Sequence, residues 1–177
     1  RMLLLARDEI EGREHFSMLS YTSADGEIWQ ADNKADELGI EDARYANQCF
    51  PYIRGYEIGS VYYDPKDIPE RRLKALVAAY DEKSIIVNDI VYTSPDGFRW
   101  TPMQGSIWNS HGAEPGVFCF YREKEDDAVI LCRPTWGDRR VCVVHTKDFL
   151  SFTEPQLALT PDSEDPALTE IYGMSPF

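Results

Sequence analysis

Short runs of β-forming residues, separated by charged or Gly- and Pro-containing turns, recur along the chain. Because β-branched and aromatic residues favour the pleated sheet, these runs predict strands. A charged turn is expected between the first two runs, at Asp8–Glu14. The predicted strands are Met2–Ala6, Phe16–Thr22, Gly59–Pro65, Ile85–Thr93, Pro115–Tyr121, Ala128–Arg133, Arg140–Thr146, Gln156–Leu159 and Glu170–Met174. The pattern predicts an all-β fold of short antiparallel strands.

One turn pattern follows three of these runs. It reads S-x-D-G-x-x-W at Ser23–Trp29 and Ser94–Trp100, and a degraded copy lies at Thr146–Phe152. An Asp side chain accepts hydrogen bonds from backbone N–H groups two residues on, and Gly adopts positive φ, so the pattern closes a hairpin. The aromatic residue three positions after Gly is expected to reach back into the core. Such repetition is typical of β-propeller blades. Three carboxylates are therefore expected to serve folding and not substrate binding: Asp25, Asp96 and Asp148.

Composition narrows the class of partner. The 177 residues carry a net charge of −13, and 43% of them are hydrophobic, which is ordinary for a globular protein. The negative charge argues against nucleic acid and anionic membranes, which attract basic surfaces, whereas a neutral carbohydrate tolerates it. No apolar run reaches the roughly 20 residues of a membrane span, and Met2–Ala6 is too short for a signal-peptide core. We therefore expect a cytoplasmic protein, or a secreted one if a leader precedes this sequence.

The cysteines and histidines give no metal or redox signature. The four cysteines lack C-x-x-C spacing, and they form two disulfides or remain buried free thiols. The second interpretation is preferred because three of them lie inside apolar runs, and it favours a reducing cytoplasm. The three histidines are too scattered for a zinc site, so neither a metal nor a cofactor is predicted. These residues are Cys49, Cys119, Cys132, Cys142, His15, His111 and His145.

The two intact turn motifs resemble the Asp-boxes of sialidase-type propellers. With their surroundings they resemble more closely a group of glycoside-hydrolase-like five-bladed β-propellers related to glycosyl hydrolase families 32, 43 and 62. The resemblance covers most of the chain and is strongest from Val61 to Gly173. Its signatures here are Tyr63-Asp64-Pro65, the Ser94–Trp100 box, Arg133 with Gly137-Asp138-Arg139-Arg140, Thr146-Lys147-Asp148-Phe149, and Glu170-x-Tyr172-Gly173-Met174.

The resemblance decides whether one ambiguous segment is predicted as a helix or as a strand. Within Pro69–Lys83, the apolar residues Leu73, Leu76, Val77 and Tyr80 have helical spacing, and Pro69 begins a helix well. In the family, a Tyr-Asp-Pro turn followed by Arg-x-x-Lys leads into a strand. A strand is therefore the prediction, because a sheet easily overrides local propensity.

The resemblance also implies how the blades are divided. It gives one partial propeller domain over residues 1–177, with units at about 1–46, 47–110 and 111–160 and the start of a further blade at 161–177. About three blades are then present, whereas a closed five-bladed propeller needs about 250 residues. The sequence is therefore expected to be a piece of a longer propeller, or a module that pairs with a second copy through exposed strand edges.

In such propellers the first strand of each blade lines a central funnel, where one carboxylic acid protonates the leaving group and a second carboxylate acts as nucleophile or base. The family's positions imply three candidate catalytic acids: Glu170, Glu114 and Asp64. Exposed turn carboxylates are the alternative interpretation, and Asp64 also suits a turn ahead of Pro65. The characteristic opening motif of family 32 and the first catalytic acid of family 43 are not found in the chain.

Four further residues are candidate sugar contacts. Arg133 ends an apolar strand, so its charge must be paired, with Asp138 or Asp148 for example, or must face a polar cavity. Trp136 lies in a loop where, like Trp108, it has the chemistry to stack on a sugar ring or to pack in the core. The other two are His111, beside Gly112, and Tyr172 in the Glu170 signature.

Two functions follow as hypotheses. The first is a glycosidase-like protein that hydrolyses oligosaccharides with a pair of carboxylates in the funnel. The alternative is a carbohydrate-binding or structural propeller module without catalysis. A carbohydrate partner is common to the hydrolytic and the sugar-binding hypotheses.

Overall fold

The computed structural model describes residues 1–10, 13–41, 43–51, 56–80, 87–107, 118–133 and 139–171. Three antiparallel sheets account for its eleven strands, and no α-helix occurs among the described residues. The prediction of an all-β protein is thus confirmed. Within the described ranges the three sheets are separate and do not close into a barrel.

The first sheet contains three strands in the order β1-β2-β3. Met2 pairs with Tyr21 and Ile10 pairs with Arg13, so β1 and β2 form one long hairpin. The expected turn at Asp8–Glu14 is therefore wrong in extent. The charged residues Asp8, Glu9, Arg13 and Glu14 continue the strands, because the ladder depends on backbone groups and tolerates charged residues at a hairpin end. The strands are β1 (Met2–Ile10), β2 (Arg13–Thr22) and β3 (Gln30–Ala31).

The second sheet contains four strands in the order β4-β5-β6-β7. The ambiguous segment forms a single 3₁₀ turn at Pro69–Arg71 and then a strand, so the strand prediction is confirmed. That strand, β5, pairs on both edges and buries consecutive residues on both faces, as expected for a central strand of a sheet that is covered on both sides. The strands are β4 (Tyr56–Tyr63), β5 (Leu73–Tyr80), β6 (Val87–Ser94) and β7 (Thr101–Ile107).

The third sheet has the order β11-β10-β9-β8. All four of its strands match predicted runs to within three residues at each end. The strand expected at Glu170–Met174 is not formed by Glu170 or Ile171, and its remaining residues lie outside the described ranges. The strands are β8 (Phe118–Arg122), β9 (Asp127–Cys132), β10 (Val141–Thr146) and β11 (Gln156–Leu159).

The box motifs relate the sheets to one another. In the second and third sheets the box joins the third strand to the fourth, that is β6 to β7 and β10 to β11. In the first sheet it joins β2 to β3. Aligned on the box, β1–β3 correspond to the last three strands of the other sheets. Among the described residues, no strand of the first sheet occupies the position of β4 and β8.

Two apolar clusters hold the sheets face to face. Met18, Phe50, Val77 and Tyr92 belong to the cluster shared by the first and second sheets. A second cluster joins the second and third sheets through side chains such as Tyr62, Leu76, Ile130, Val144 and Phe149. All four cysteines are free thiols, as the preferred interpretation expected. The second sheet is therefore the centre of the stack.

Candidate functional site

The three box turns share one hydrogen-bond pattern. In the second box, Asp96 Oδ1 accepts from the N–H groups of Phe98 at 2.9 Å and Arg99 at 3.0 Å. Ser94 Oγ accepts from Gly97 N–H at 2.9 Å, and Trp100 Nε1 donates to Gly97 O at 3.1 Å. The first box repeats these contacts around Asp25. The predicted folding role of the box carboxylates agrees with this geometry.

The third box keeps the pattern although it lacks Gly. Asp148 Oδ1 accepts from Leu150 N–H and Ser151 N–H, both at 2.8 Å. Phe149 stands at the Gly position and has a φ of 57°, within the left-handed region of Gly26 and Gly97. Its ring is buried and stacks on Tyr62 with ring centroids 5.7 Å apart. Packing across the sheets thus offsets the cost of an unfavourable backbone conformation.

The box aromatics differ in burial. Trp100 is 7% exposed and packs in the core, as expected, whereas Trp29 is 37% exposed. The expectation that Trp29 reaches the core is therefore wrong. Its turn makes the same internal hydrogen bonds, so the difference lies in what covers the ring: Phe50 packs on Trp100 with ring centroids 5.5 Å apart.

A polar pocket of about 270 Å³ lies where the second and third sheets meet. The second sheet contributes the end of β4 and the turn before β5, and the third contributes the β8–β9 turn and the third box. The lining residues are Tyr62, Asp64, Lys66, Asp67, Arg71, Tyr121, Asp126, Ala128, Lys147, Asp148, Phe149 and Leu150.

Lys74 holds one wall of this pocket. It is the second residue of β5 and is 0% exposed, with its ammonium 3.1 Å from Asp64 Oδ2 and 2.7 Å from Asp67 Oδ2. It also donates to the carbonyl of Arg71 at 2.9 Å and lies 4.9 Å from the centre of the Phe149 ring. The ammonium therefore donates hydrogen bonds to Asp67 and Arg71 and forms an ion pair with Asp64, so its buried charge is compensated. Lys74 positions both carboxylates and, being fully buried, does not face the pocket's solvent.

The opposite wall is built around Asp126, in the β8–β9 turn. Its carboxylate accepts from Lys66 and from the Tyr121 hydroxyl, and the Lys66 ammonium lies 4.6 Å from the centre of the Tyr121 ring. The contact between Lys66 and Asp126 ties the second sheet to the third across the pocket.

Contacts of this kind keep three of the pocket carboxylates ionised: Asp67, Asp126 and Asp148. The Lys66 hydrogen bond lowers the pKa of Asp126, and the Ser151 N–H bond lowers that of Asp148. For Asp67, burial alone raises the pKa, but hydrogen bonds from Lys74 and Arg71 outweigh it, so the pKa is lowered. A carboxylate with a lowered pKa holds no proton at neutral pH and accepts hydrogen bonds only.

The two sequence-predicted acids that the structure describes, Asp64 and Glu170, are not brought together. Asp64 lines the pocket, whereas Glu170 is bonded to Arg139, just before β10 begins. Because β10 is six residues long and ends at the pocket, the Arg139–Glu170 pair lies roughly 20 Å away, at the other end of the sheet. Buried Arg133 directly follows β9. The last residue of β9 pairs with the second residue of β10, so Arg133 lies at that far end.

Other predicted site residues lie outside the described ranges: Glu114, His111, Trp136 and Tyr172, together with Trp108. Sequence reasoning in turn missed most of the pocket. Lys74 carried a usable signal, because it is a lone charge inside an apolar strand, which was the argument applied to Arg133. Tyr121 and Asp126 gave none, since a Tyr and an Asp beside a charged turn are ordinary.

No cluster of His, Cys, Asp or Glu suited to hold a metal ion occurs in the described part of the chain. Within the same residues, none of the secondary structure is a helix with the length and apolar character needed to cross a bilayer. The chain has no significant match to a protein-family model, a curated protein or a solved structure.

Proposed function

We propose that the protein is a carbohydrate-binding module of the β-propeller type, with its sugar site in the pocket between the second and third sheets. The observation that carries the proposal is that the pocket carboxylates are engaged by protein donors and that most of them have lowered pKa values. Asp64, Asp67, Asp126 and Asp148 all accept hydrogen bonds from protein donors, Asp64 from the backbone N–H of Lys66. Glycoside hydrolysis needs a protonated acid opposite an ionised carboxylate, and three of these four have lowered pKa values.

The charge of the pocket supports a ligand with little charge. Its four carboxylates are matched by four cations, Lys66, Arg71 and Lys147 in the lining and Lys74 behind it. Fixed, ionised groups around a small cavity suit the hydroxyl groups of a sugar, which both donate and accept. At about 270 Å³ the cavity is at the small end of ligand pockets, so one sugar ring is the expected occupant.

The propeller assignment rests on three features. Neighbouring strands in every sheet are consecutive in the chain, the sheets stack face to face, and the box precedes the last strand of each. Such repetition of meander sheets is the architecture of propeller blades. A five-bladed ring is the form that the sequence resemblance implies.

The test combines binding with turnover. The protein is screened against an array of plant and bacterial oligosaccharides, and each bound glycan is then incubated with it and analysed for released sugar by chromatography. We expect binding without release. Tyr121→Ala, which opens the pocket wall, should weaken binding about tenfold, an energy typical of one lost hydrogen-bonded contact. The matched control is Tyr63→Ala, a tyrosine that is 55% exposed and does not line the pocket.

Two outcomes contradict the proposal. Release of sugar from a bound glycan restores the glycosidase hypothesis, and Glu170→Gln in the same assay then tests that acid. Absence of binding to every glycan indicates a structural module.

A further inference from the structure

Two cysteines of the third sheet lie directly opposite each other. Cys142, the second residue of β10, pairs with Cys132, the last residue of β9. Directly opposed residues of an antiparallel ladder have Cα atoms about 4.5–5.5 Å apart and side chains on the same face. Both side chains belong to the apolar cluster between the second and third sheets, where Cys132 is 2% exposed and Cys142 is 0% exposed. The two thiols are therefore neighbours inside the core.

The spacing of this pair suits a disulfide bond. A disulfide requires two Cα atoms about 4.4–6.8 Å apart, with the Cβ atoms turned toward each other. Opposed positions of a ladder meet the first requirement, and their shared face meets the second. Both residues are present as thiols in the structure. Closing the bond would need only a small adjustment of the backbone.

The other two cysteines are less well placed. Cys119 packs against the same cluster, but its partner in the ladder is Ile130. Cys132 is thus its diagonal neighbour, at a Cα separation of roughly 7–8 Å that a disulfide does not span without backbone movement. Cys49 belongs to the other cluster, between the first and second sheets. The strand register therefore selects one pair among the four cysteines.

Burial determines when the bond can form. Disulfide exchange needs a thiolate, and burial raises the pKa of the Cys142 thiol, so the folded protein holds little of the reactive form. An oxidant in solvent also has no direct path to a side chain that is fully buried. The reaction therefore belongs to folding, while β9 and β10 are pairing and both thiols are still open to solvent.

We propose that Cys132 and Cys142 form a structural disulfide when the chain folds in an oxidising environment, and that this bond joins β9 to β10 and stabilises the fold. The oxidant is a small disulfide such as oxidised glutathione. The thiolate of one cysteine attacks it and releases one glutathione, and the other cysteine then attacks the protein sulfur of the mixed disulfide and releases the second. The two cysteines lose two electrons and two protons, which end on the two glutathione thiols.

The proposal is independent of any carbohydrate ligand. In a reducing cytoplasm the pair stays as thiols packed in the core, whereas in an oxidising compartment the bond closes the segment 132–142. Closing a loop restricts the unfolded chain, and for a short loop in a chain of this size the expected rise in melting temperature is roughly 5–10 °C.

The experiment refolds the protein from urea in two buffers, one with oxidised and reduced glutathione and one with reduced glutathione alone. Remaining thiols are blocked with iodoacetamide, and the protein is digested with trypsin without reduction. Arg139 and Arg140 lie between the two cysteines, so trypsin places them in separate peptides. In the oxidising buffer we expect one linked pair of peptides, containing Cys132 and Cys142, and a melting temperature higher by roughly 5–10 °C than that of the reduced form.

Two variants provide matched controls. Cys142→Ala should give no linked peptides and the same melting temperature in both buffers. Cys49→Ala also removes a fully buried sulfur, but it should keep the linked peptides and the full temperature difference. Because each variant is compared with itself in the two buffers, the loss of stability caused by the substitution cancels.

Two kinds of result would overturn the proposal. One is the absence of linked peptides, or linkage of either cysteine to Cys119 or Cys49 in place of its partner. The other is an oxidised protein that melts at or below the temperature of the reduced form, because the bond would then be strained and would not stabilise the fold.

Discussion

At the residue scale, a single carboxylate organises each box turn. Hydrogen bonds from the N–H groups of Ile28 and Glu27 and from the Ser23 hydroxyl lower the pKa of Asp25 from 3.8 to about 2. In the unfolded chain these bonds are absent, so the unfolded state binds more protons below pH 4. The stabilisation from Asp25 is therefore complete above that pH and is lost as the pH falls through about 2.

Carboxyl titration by NMR measures this directly. We expect the Asp25 carboxyl to titrate near pH 2, and we expect the unfolding of Asp25→Ala in urea to respond less to acidification than that of the wild type. Titration near 3.8 would show that the turn is not closed in solution.

The third box makes a sharper residue-scale prediction, because Phe149 combines a buried ring with a positive φ. Phe149→Ala should cost about 3–5 kcal/mol through loss of the ring. Phe149→Gly loses the same ring but relieves the backbone, so it should be the more stable of the two by about 1 kcal/mol. This reverses the usual order of Ala and Gly.

Urea unfolding of both Phe149 variants provides the measurement. Gly26→Ala is the matched control, since Gly26 has a φ of 81° and an added Cβ meets no atom within 4 Å. It should lose about 1 kcal/mol from the backbone alone. Equal stability of the Ala and Gly variants would show that position 149 carries no strain.

The box motifs also show which contacts a sequence pattern can predict. Their internal hydrogen bonds were predictable because they connect residues at most three positions apart. The burial of Trp100 and the exposure of Trp29 were not, because covering groups such as Phe50 come from distant parts of the sequence.

At the element scale, Lys74 joins the end of β4, the 3₁₀ turn and the start of β5. Lys74→Met keeps the length of the side chain but leaves Asp64 and Asp67 without their shared cation. We expect a loss of about 3–5 kcal/mol in the free energy of unfolding, as for other buried ion pairs with one partner removed. The pKa of Asp67 is lowered in the folded wild type, so the stabilisation that Lys74 gives this carboxylate is lost as acid protonates it, and the loss caused by Lys74→Met should shrink at acidic pH.

The control for Lys74 is Lys66→Met, which removes an exposed ammonium and should change the free energy of unfolding by less than about 1 kcal/mol. Urea titrations at neutral and acidic pH measure both variants. A similar, small loss for the two lysines would show that the Lys74 cluster is open to water.

The sequence predicted which segments form strands better than it predicted which strands and turns contact one another. The apolar run of β5 predicted a strand once sheet context was assumed, and its burial on both faces bears this out. The pocket depends on the β4–β5 connection meeting the β8–β9 turn across two sheets. Nothing in either turn specifies the other, so that meeting required the three-dimensional arrangement.

At the scale of the whole molecule, the first sheet differs from the other two: among the described residues it has three strands, and each of the others has four. The box alignment leaves the position of β4 and β8 unoccupied in the first sheet among the described residues, so β1 presents an edge next to it. An edge strand offers unpaired backbone groups to another chain, and Leu4 on β1 is 44% exposed. These features support the proposal that copies of the chain associate through this edge.

Sedimentation velocity over a range of protein concentrations tests that association. We expect the wild type to form a dimer as its concentration rises. Leu4→Lys should shift the equilibrium toward monomer, because a lysine on an edge strand opposes pairing with a second sheet. The matched control is Leu157→Lys, which places the same charge on β11, at the edge of the third sheet, where Leu157 is also 44% exposed. If Leu157→Lys disrupts the dimer and Leu4→Lys does not, the interface is at β11; a wild type that stays monomeric means that neither edge recruits a second copy.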